Sequence, residues 1–350
     1  MAAKTLAVAA EPDLPPRTAA QLLVDLQTAT LDGLSGTVVE RADLGLPSIP
    51  LLTGDQSAKL TSLVSGKHTL RVWYSGPDKA RVSLLGTQGQ SDIIHNGNDT
   101  WIWDSQAKEA QHFTGQPGKD EGDAHPTPTD LPKTPQEAAD LALKTIDPTT
   151  QVSTGTSAKI AGRNAYELVL RPRDTNSLIG EVRLAIDAQE KLPLRVQVLP
   201  RGTAEPAFEV AFTSVNFARP DDAEFKFNPP AGTKVEEGKK DAKAAEEQAK
   251  QEQQKQENAA DKPKTAVIGT GWTSVLVVRS SDANATKGAG SDEEKKAQDA
   301  ISQLPTGNGG RTFNSKLVSV LFTDDGRVLI GSVTPERLAQ VAADPAAALK

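Results

Sequence analysis

From about His68 to Phe217 the chain repeats one pattern: short stretches of alternating apolar and polar residues, separated by turn chemistry. Tyr166, Leu168 and Leu170 alternate with Glu167 and Arg171. Val182, Leu184 and Ile186 alternate with Arg183 and Asp187. Leu194, Val196 and Val198 alternate with Arg195 and Gln197, and Phe208, Val210 and Phe212 flank Glu209. A period of two with one apolar face is the mark of an antiparallel sheet wetted on one side. The phase slips at Thr213-Ser214, before Val215 and Phe217, which predicts a bulge or bend. Earlier strands are predicted from Gly36 to Glu40, His68 to Tyr74, Arg81 to Leu85, Asp92 to His95, Thr100 to Trp103, and near Ala110 to Phe113. Gly76-Pro77-Asp78 reads as a turn, and Asn96-Gly97 is a strong short hairpin signal.

Two helices flank these strands. Thr18-Ala-Ala-Gln21 is a capping-box pattern, and Leu22, Leu23, Leu26 and Ala29 follow on one helical face, with Gly33 and Gly36 expected to end the helix. Thr134-Pro135-Gln136-Glu137 opens a second helix whose buried face is Ala138, Leu141, Ala142 and Ile146. Between them in sequence, Thr114 to Lys133 is a long Pro-, Gly- and Asp-rich loop. Four segments result: a loose tail over 1–17, a sheet domain over 18–235, a charged linker over 236–264 and a small α+β unit over 265–350. The linker is Lys/Glu/Gln/Ala without an apolar stripe, so it is disordered or a lone solvated helix, about 40 Å long at roughly 1.5 Å per residue if helical. In the last unit Val267 to Val278 is expected as a strand. Ser291 caps a helix with Ala297, Ala300, Ile301 and Leu304 inward. Leu317–Phe322 and Val328–Val333 form a hairpin around Asp325-Gly326, and Thr334-Pro335 opens a final helix.

Composition narrows the function classes. The 350-residue chain carries a net charge of −7, which lacks the basic face that a nucleic-acid partner needs. With no cysteine there is no disulfide, thiol nucleophile or thiolate metal site. The four histidines, at 68, 95, 112 and 125, are scattered and read as surface residues. Asp120, Glu121 and Asp123 lack the spacing of a calcium loop. No catalytic arrangement, metal or cofactor is expected, and the protein is not read as an enzyme. The first residues show no charged segment followed by an apolar one, so no secretory leader is read in them. The uncharged run from Thr265 to Val278 is too short to span a bilayer, which takes roughly 20 apolar residues.

Two features point to an apolar ligand. The loop Leu44-Gly-Leu46-Pro-Ser-Ile49-Pro-Leu51-Leu52 concentrates five large aliphatics, either as a lid packed over the sheet or as a contact for lipid, membrane or a partner. Trp73, Trp101 and Trp103 are either ordinary sheet core or the lining of a cavity. Trp101 and Trp103 share one strand face and Ile102 takes the other.

The order of these features resembles the LolA/LppX/RseB superfamily of bacterial envelope proteins. A leading helix is followed by a strand, then by Pro77-Asp78-Lys79-Ala80-Arg81. Next come Asn96-Gly97 with Trp101-Ile102-Trp103, a second helix and more strands. The run closes on Phe225-Lys-Phe227-Asn-Pro229-Pro230-Ala-Gly232-Thr-Lys-Val235. The resemblance covers about 18–236. It implies an α+β fold, a LolA-like antiparallel half-barrel closed by helices over an apolar cavity, lined here by Leu44, Leu46, Ile49, Leu51, Leu52, Trp73, Trp101 and Trp103. It implies a carrier of lipid or acylated lipoprotein or, alternatively, an RseB-like regulator of a membrane partner such as an anti-sigma factor. The Ala/Pro-rich composition and the C-terminal extension resemble an actinobacterial member, held in the cell envelope through a segment outside this sequence. Lipoprotein carriers have an arginine just before the turn proline; here that residue is Gly76.

Overall fold

The computed structural model describes residues 12–45, 65–87, 89–115, 148–238, 264–279, 299, 301–307 and 309–349. Leu46, Ile49, Leu51 and Leu52, the helix expected from Thr134, most of the linker and most of the helix expected from Ser291 lie outside these residues.

Helix α1 (Ala19–Thr28) begins as its sequence dictates. The Thr18 hydroxyl accepts from the Gln21 amide, and the Gln21 side chain accepts from the Thr18 amide. It stops at Thr28, sooner than the glycines suggested, and the strand expected from Gly36 starts two residues earlier, so that Gly36 lies inside it. The reason is space. A Cβ at Gly36 would stand 2.6 Å from the Ser214 carbonyl oxygen and 2.9 Å from the Phe212 ring.

Thirteen strands of the described residues form one sheet. They are β1 (Leu34–Ala42), β2 (Gly66–Tyr74), β3 (Lys79–Leu85), β4 (Gln90–Asn96), β5 (Asp99–Asp104), β6 (Glu109–Thr114), β7 (Thr150–Thr154), β8 (Ala158–Ile160), β9 (Arg163–Pro172), β10 (Ile179–Asp187), β11 (Pro193–Pro200), β12 (Phe208–Asn216) and β13 (Lys234–Gly238). Their order is β13-β6-β5-β4-β3-β2-β1-β12-β11-β10-β9-β7, with β8 also on β9. Two antiparallel meanders therefore meet on β1, which pairs with β2 on one side and β12 on the other. The expected bulge is present: the β1–β12 register shifts between Thr37 and Val38, opposite Thr213. The β4–β5 turn is Gly97-Asn98, because Asn96 still pairs with Asp99, and Gly97 supplies the positive φ of 63°.

Three expectations need correction. The sheet is not wholly antiparallel, since β13 lies parallel to β6; the Pro229-Pro230 segment carries the chain back across the molecule before it re-enters at this edge. The sheet also stays open between its β13 and β7 edges, and α1 is the one α-helix of the described residues that packs on it. Finally, the last unit holds more strands and fewer described helices than expected. Val267 to Val278 is not one strand. Gly269 and Gly271, at φ of 88° and 60°, reverse the chain between β14 (Lys264–Ile268) and β15 (Val275–Arg279). With β16 (Thr306–Gly307), β17 (Gly310–Asn314), β18 (Ser319–Thr323) and β19 (Arg327–Gly331) these form a second sheet, ordered β14-β15-β19-β18-β17-β16. Helix α2 (Pro335–Ala342), capped by Thr334, buries Leu338 and Val341 against Val275, Val277, Leu321 and Leu329.

The second unit is fastened to one end of the large sheet. Ser177 bridges Val333, Leu178 N–H donates to Ser332 O at 2.9 Å, and Thr334 N–H donates to Asn176 O at 2.9 Å. Trp272 Nε1 donates to Thr150 Oγ1 at 2.7 Å. Lys316 pairs with Asp43 at 2.6 Å, and its backbone N–H donates to Leu44 O at 2.8 Å.

Gly36→Ala is expected to lower stability by about 1–3 kcal/mol through overpacking at the β1–β12 bulge, read as a reduced urea midpoint. An unchanged midpoint would show that Phe212 moves aside freely.

Candidate functional site: an aliphatic sheet face

Register and alternation assign every strand residue of the large sheet to one of two faces. One face is mainly aliphatic from β7 to β5, and turns polar at the β6 and β13 edge, where Gln111 and Glu236 follow Ile102. It runs Val152, then Leu168 and Leu170, then Val182 and Leu184, then Val196 and Val198, then Phe208 and Val210. It continues through Val38 and Ala42 to Leu70 and Val72, then Val82 and Leu84, then Ile93 and finally Ile102. Helix α1 covers the near end, where Leu22 and Leu23 seal Tyr166, Leu168 and Ile186 from water. Tyr166 satisfies its buried hydroxyl by donating to Pro15 O at 2.9 Å. Beyond the helix the cover thins. Leu70, Val72, Val82, Ile93, Val196, Val198, Phe208 and Val210 are half-buried, and Ile102 is 38 % exposed.

His68, Ser91 and Asp104 interrupt the pattern, and so does one buried acid. Glu40 stands in the middle of this face, between Val38 and Ala42 on its own strand and opposite His68 on β2 and Val210 on β12. It is 5 % exposed, and neither carboxylate oxygen has a hydrogen-bond partner. Burial pushes its pKa up, and the neighbouring His68 pulls it part of the way back. The imidazole Nε2 of His68 is engaged with Ser65 O at 2.8 Å. Sequence reading passed over Glu40 because a glutamate in the strand Thr37-Val-Val-Glu40 looks like a wet-face residue. The signal was its parity: Glu40 shares its face with Val38 and Ala42.

The three tryptophans stand on the other face. Trp101 stacks on His112 with ring centroids 4.0 Å apart, and Phe227 lies 5.3 Å from Trp101 and 5.7 Å from Trp103. Trp73 takes the Arg81 guanidinium at 5.3 Å. Arg81 in turn pairs with the buried Asp92 at 2.9 Å and donates to Glu224 O at 3.1 Å. The returning segment, with Phe225 fully buried, thus lies over this face, and its contacts gather Trp101 and Trp103 around Phe227. Leu44 is half-buried at the end of β1, against Lys316, away from the tryptophans.

A second feature is a cavity of about 600 Å³ at the N-terminal end of α1, beside Leu14, Arg17, Lys159, Arg163 and Tyr166. Both arginines of its wall are paired, Arg163 to Asp187 and Arg17 to Asp25. Among the described residues no group of three metal-ligating side chains comes together, and no helix is long and apolar enough to cross a membrane.

No family model matches the chain, and no curated protein matches it. Solved structures similar to it include the Pseudomonas aeruginosa MucA/MucB complex, at 15 % identity and a TM-score of 0.43 over 92 % of this chain and 96 % of that one. Another is a LolA superfamily protein from Nitrosomonas europaea, at 11 % identity and a TM-score of 0.24, covering 61 % of this chain and 99 % of that one. An uncharacterised conserved protein from Thermus thermophilus scores 0.36 at 11 % identity, over 62 % and 97 % of the two chains. At these scores the likenesses place no residue and assign no role.

The folded chain holds the Glu40 proton more tightly than the unfolded chain does. The stability this contributes is complete below the ordinary carboxylate range and is lost as pH rises through the raised value. Glu40→Gln is therefore expected to gain stability relative to the wild type as pH goes from about 5 to about 8, in urea unfolding followed at each pH. A gap between the two proteins that stays constant with pH would contradict the assignment.

Proposed function

We propose that this chain is an extracytoplasmic binding protein whose aliphatic sheet face takes an acyl chain, from a free lipid or from an acylated lipoprotein. The observation that supports this best is the run of half-buried aliphatic side chains that continues past α1 to Ile102. A soluble monomer rarely leaves so long an apolar row without an occupant. Each methylene laid on it gains about 0.8 kcal/mol when fully buried, so a long chain binds without any reactive group. In this reading α1 covers the near end of the face, and the aliphatic loop residues Leu44, Leu46, Ile49, Leu51 and Leu52 serve as its lid. The protein works in the cell envelope, as an actinobacterial-type member anchored through a segment beyond this sequence. It performs transport or presentation and no catalysis.

A second reading is a regulator that binds a membrane protein partner. It is favoured by the second unit, whose outer sheet face shows Val267 at 64 % exposure beside Leu276 and Ile330. The two readings separate on one substitution pair. Ile93→Glu with Ile102→Glu is expected to abolish recovery of extractable lipid from protein purified out of its own envelope, with the circular dichroism spectrum unchanged. Lipid recovered equally from both proteins, or from neither, would count against the carrier reading.

A further inference from the structure

Glu40 is a poor choice for a surface that only has to be apolar. An unpaired buried carboxylate costs several kcal/mol, and a leucine or valine at this position would continue the row formed by Val38 and Ala42. Its compensation is partial: both oxygens lack hydrogen-bond partners, and the group beside it that favours the charged form is the half-buried His68, which faces it from β2 as Val210 does from β12. A polar group kept at such a cost, beside His68 and between Val38 and Ala42 on a mainly aliphatic face, points at something that arrives from outside.

The chemistry of the site narrows that something. Burial favours the uncharged carboxyl, which offers one O–H donor and a carbonyl acceptor. A fatty-acid anion brings a second carboxylate and no donor. An alkylammonium brings three donors and a charge; the two carboxyl oxygens and the second His68 nitrogen can accept from it, but Val38, Ala42 and Val210 around them offer no further side-chain acceptor, and burial penalises the charged pair. A neutral oxygen function fits both halves of the carboxyl. His68, with Nε2 engaged at Ser65, leaves one ring nitrogen uncommitted among the described residues. From β1, the open row Leu70, Val82, Ile93 and Ile102 crosses four strand spacings, about 19 Å, and a long acyl chain can lie along it.

We infer that Glu40 is the polar anchor of the aliphatic face, and that the ligand is a neutral fatty-acyl ester of the acylglycerol class whose hydroxyl or carbonyl oxygen hydrogen-bonds to its carboxyl. This rests on the reading of that face as the binding surface and adds the ligand class to it.

The test uses the full chain as wild type, Glu40→Gln and Glu40→Leu. The probes are the neutral dye N-phenyl-1-naphthylamine, monooleoylglycerol and oleylamine, each lipid titrated by displacement of the dye. Glu40→Leu is expected to bind the dye as the wild type does and to weaken monooleoylglycerol by about 3- to 10-fold, the worth of a net hydrogen bond. Glu40→Gln, whose amide both donates and accepts, is expected to stay near the wild type. Monooleoylglycerol bound equally by all three proteins would overturn the anchor. Oleylamine preferred by the wild type and lost in Glu40→Gln would overturn the neutral ligand class. A wild type that binds neither dye nor lipid would overturn the underlying reading of the face, whatever Glu40 does.

Discussion

Everything in the large domain depends on the register of β1. The meander β2–β6 and the meander β9–β12 are each built from neighbours in sequence, but they become one sheet only because Leu34–Ala42 pairs with both. Val38 lies opposite Leu70 on one side and Phe212 on the other, so a single residue joins the two apolar rows. Strand side chains alternate with period two, so a one-residue slip here would turn half of the aliphatic face outward. The bulge at Thr37/Val38 and the absence of a side chain at Gly36 allow β1 to serve both partners in the same phase.

The two faces of that sheet are then put to different uses. The second face is closed by the chain itself: Phe225 and Phe227 return to it, and the Arg81–Asp92 pair ties the return to β3 and β4. The aliphatic face is covered by α1 over β7, β9 and β10; beyond it Val38, Glu40, Ala42 and Leu84 are buried, Leu70, Val72, Val82, Ile93 and Val210 are half-buried, and Ile102 is exposed. A polar return segment over an aromatic cluster is packing. An incompletely covered aliphatic row with one unpaired carboxyl in it is the arrangement of a binding surface. Both uses follow from strand parity, because the same strands supply Trp101 and Trp103 to one side and Ile102 to the other.

Much of this was legible in the residues. The period-two stretches gave β9–β12, Asn96-Gly97 gave the β4–β5 hairpin, Thr18 and Gln21 gave the start of α1, and the phase slip at Thr213-Ser214 gave the bulge. What escaped were features decided by distant partners. The parallel docking of β13 on β6 depends on where a proline-rich segment crosses the molecule, and β7 and β8, rich in Thr, Ser and Lys, are strands only because β9 offers its edge. Gly36 was legible as the start of a strand, but not as a close approach inside it, because its neighbour across the sheet, Ser214, is far away in sequence. The tryptophans looked like a cavity lining because their strand was visible but the segment covering it was not. Glu40 was legible only through its parity with Val38 and Ala42; the strands β2 and β12 that flank it are distant in sequence.

The central claim is that an acyl chain lies on the face shared by Leu70, Val82, Ile93 and Val210. Photolabelling with a fatty acyl ester carrying a diazirine near the chain end, followed by peptide mapping, tests it most directly. The account predicts adducts on β2, β3, β4 and β12 at residues of that face. Adducts confined to the Trp101–Trp103 face or to the outer face of the second unit, or no specific adduct at all, would contradict it.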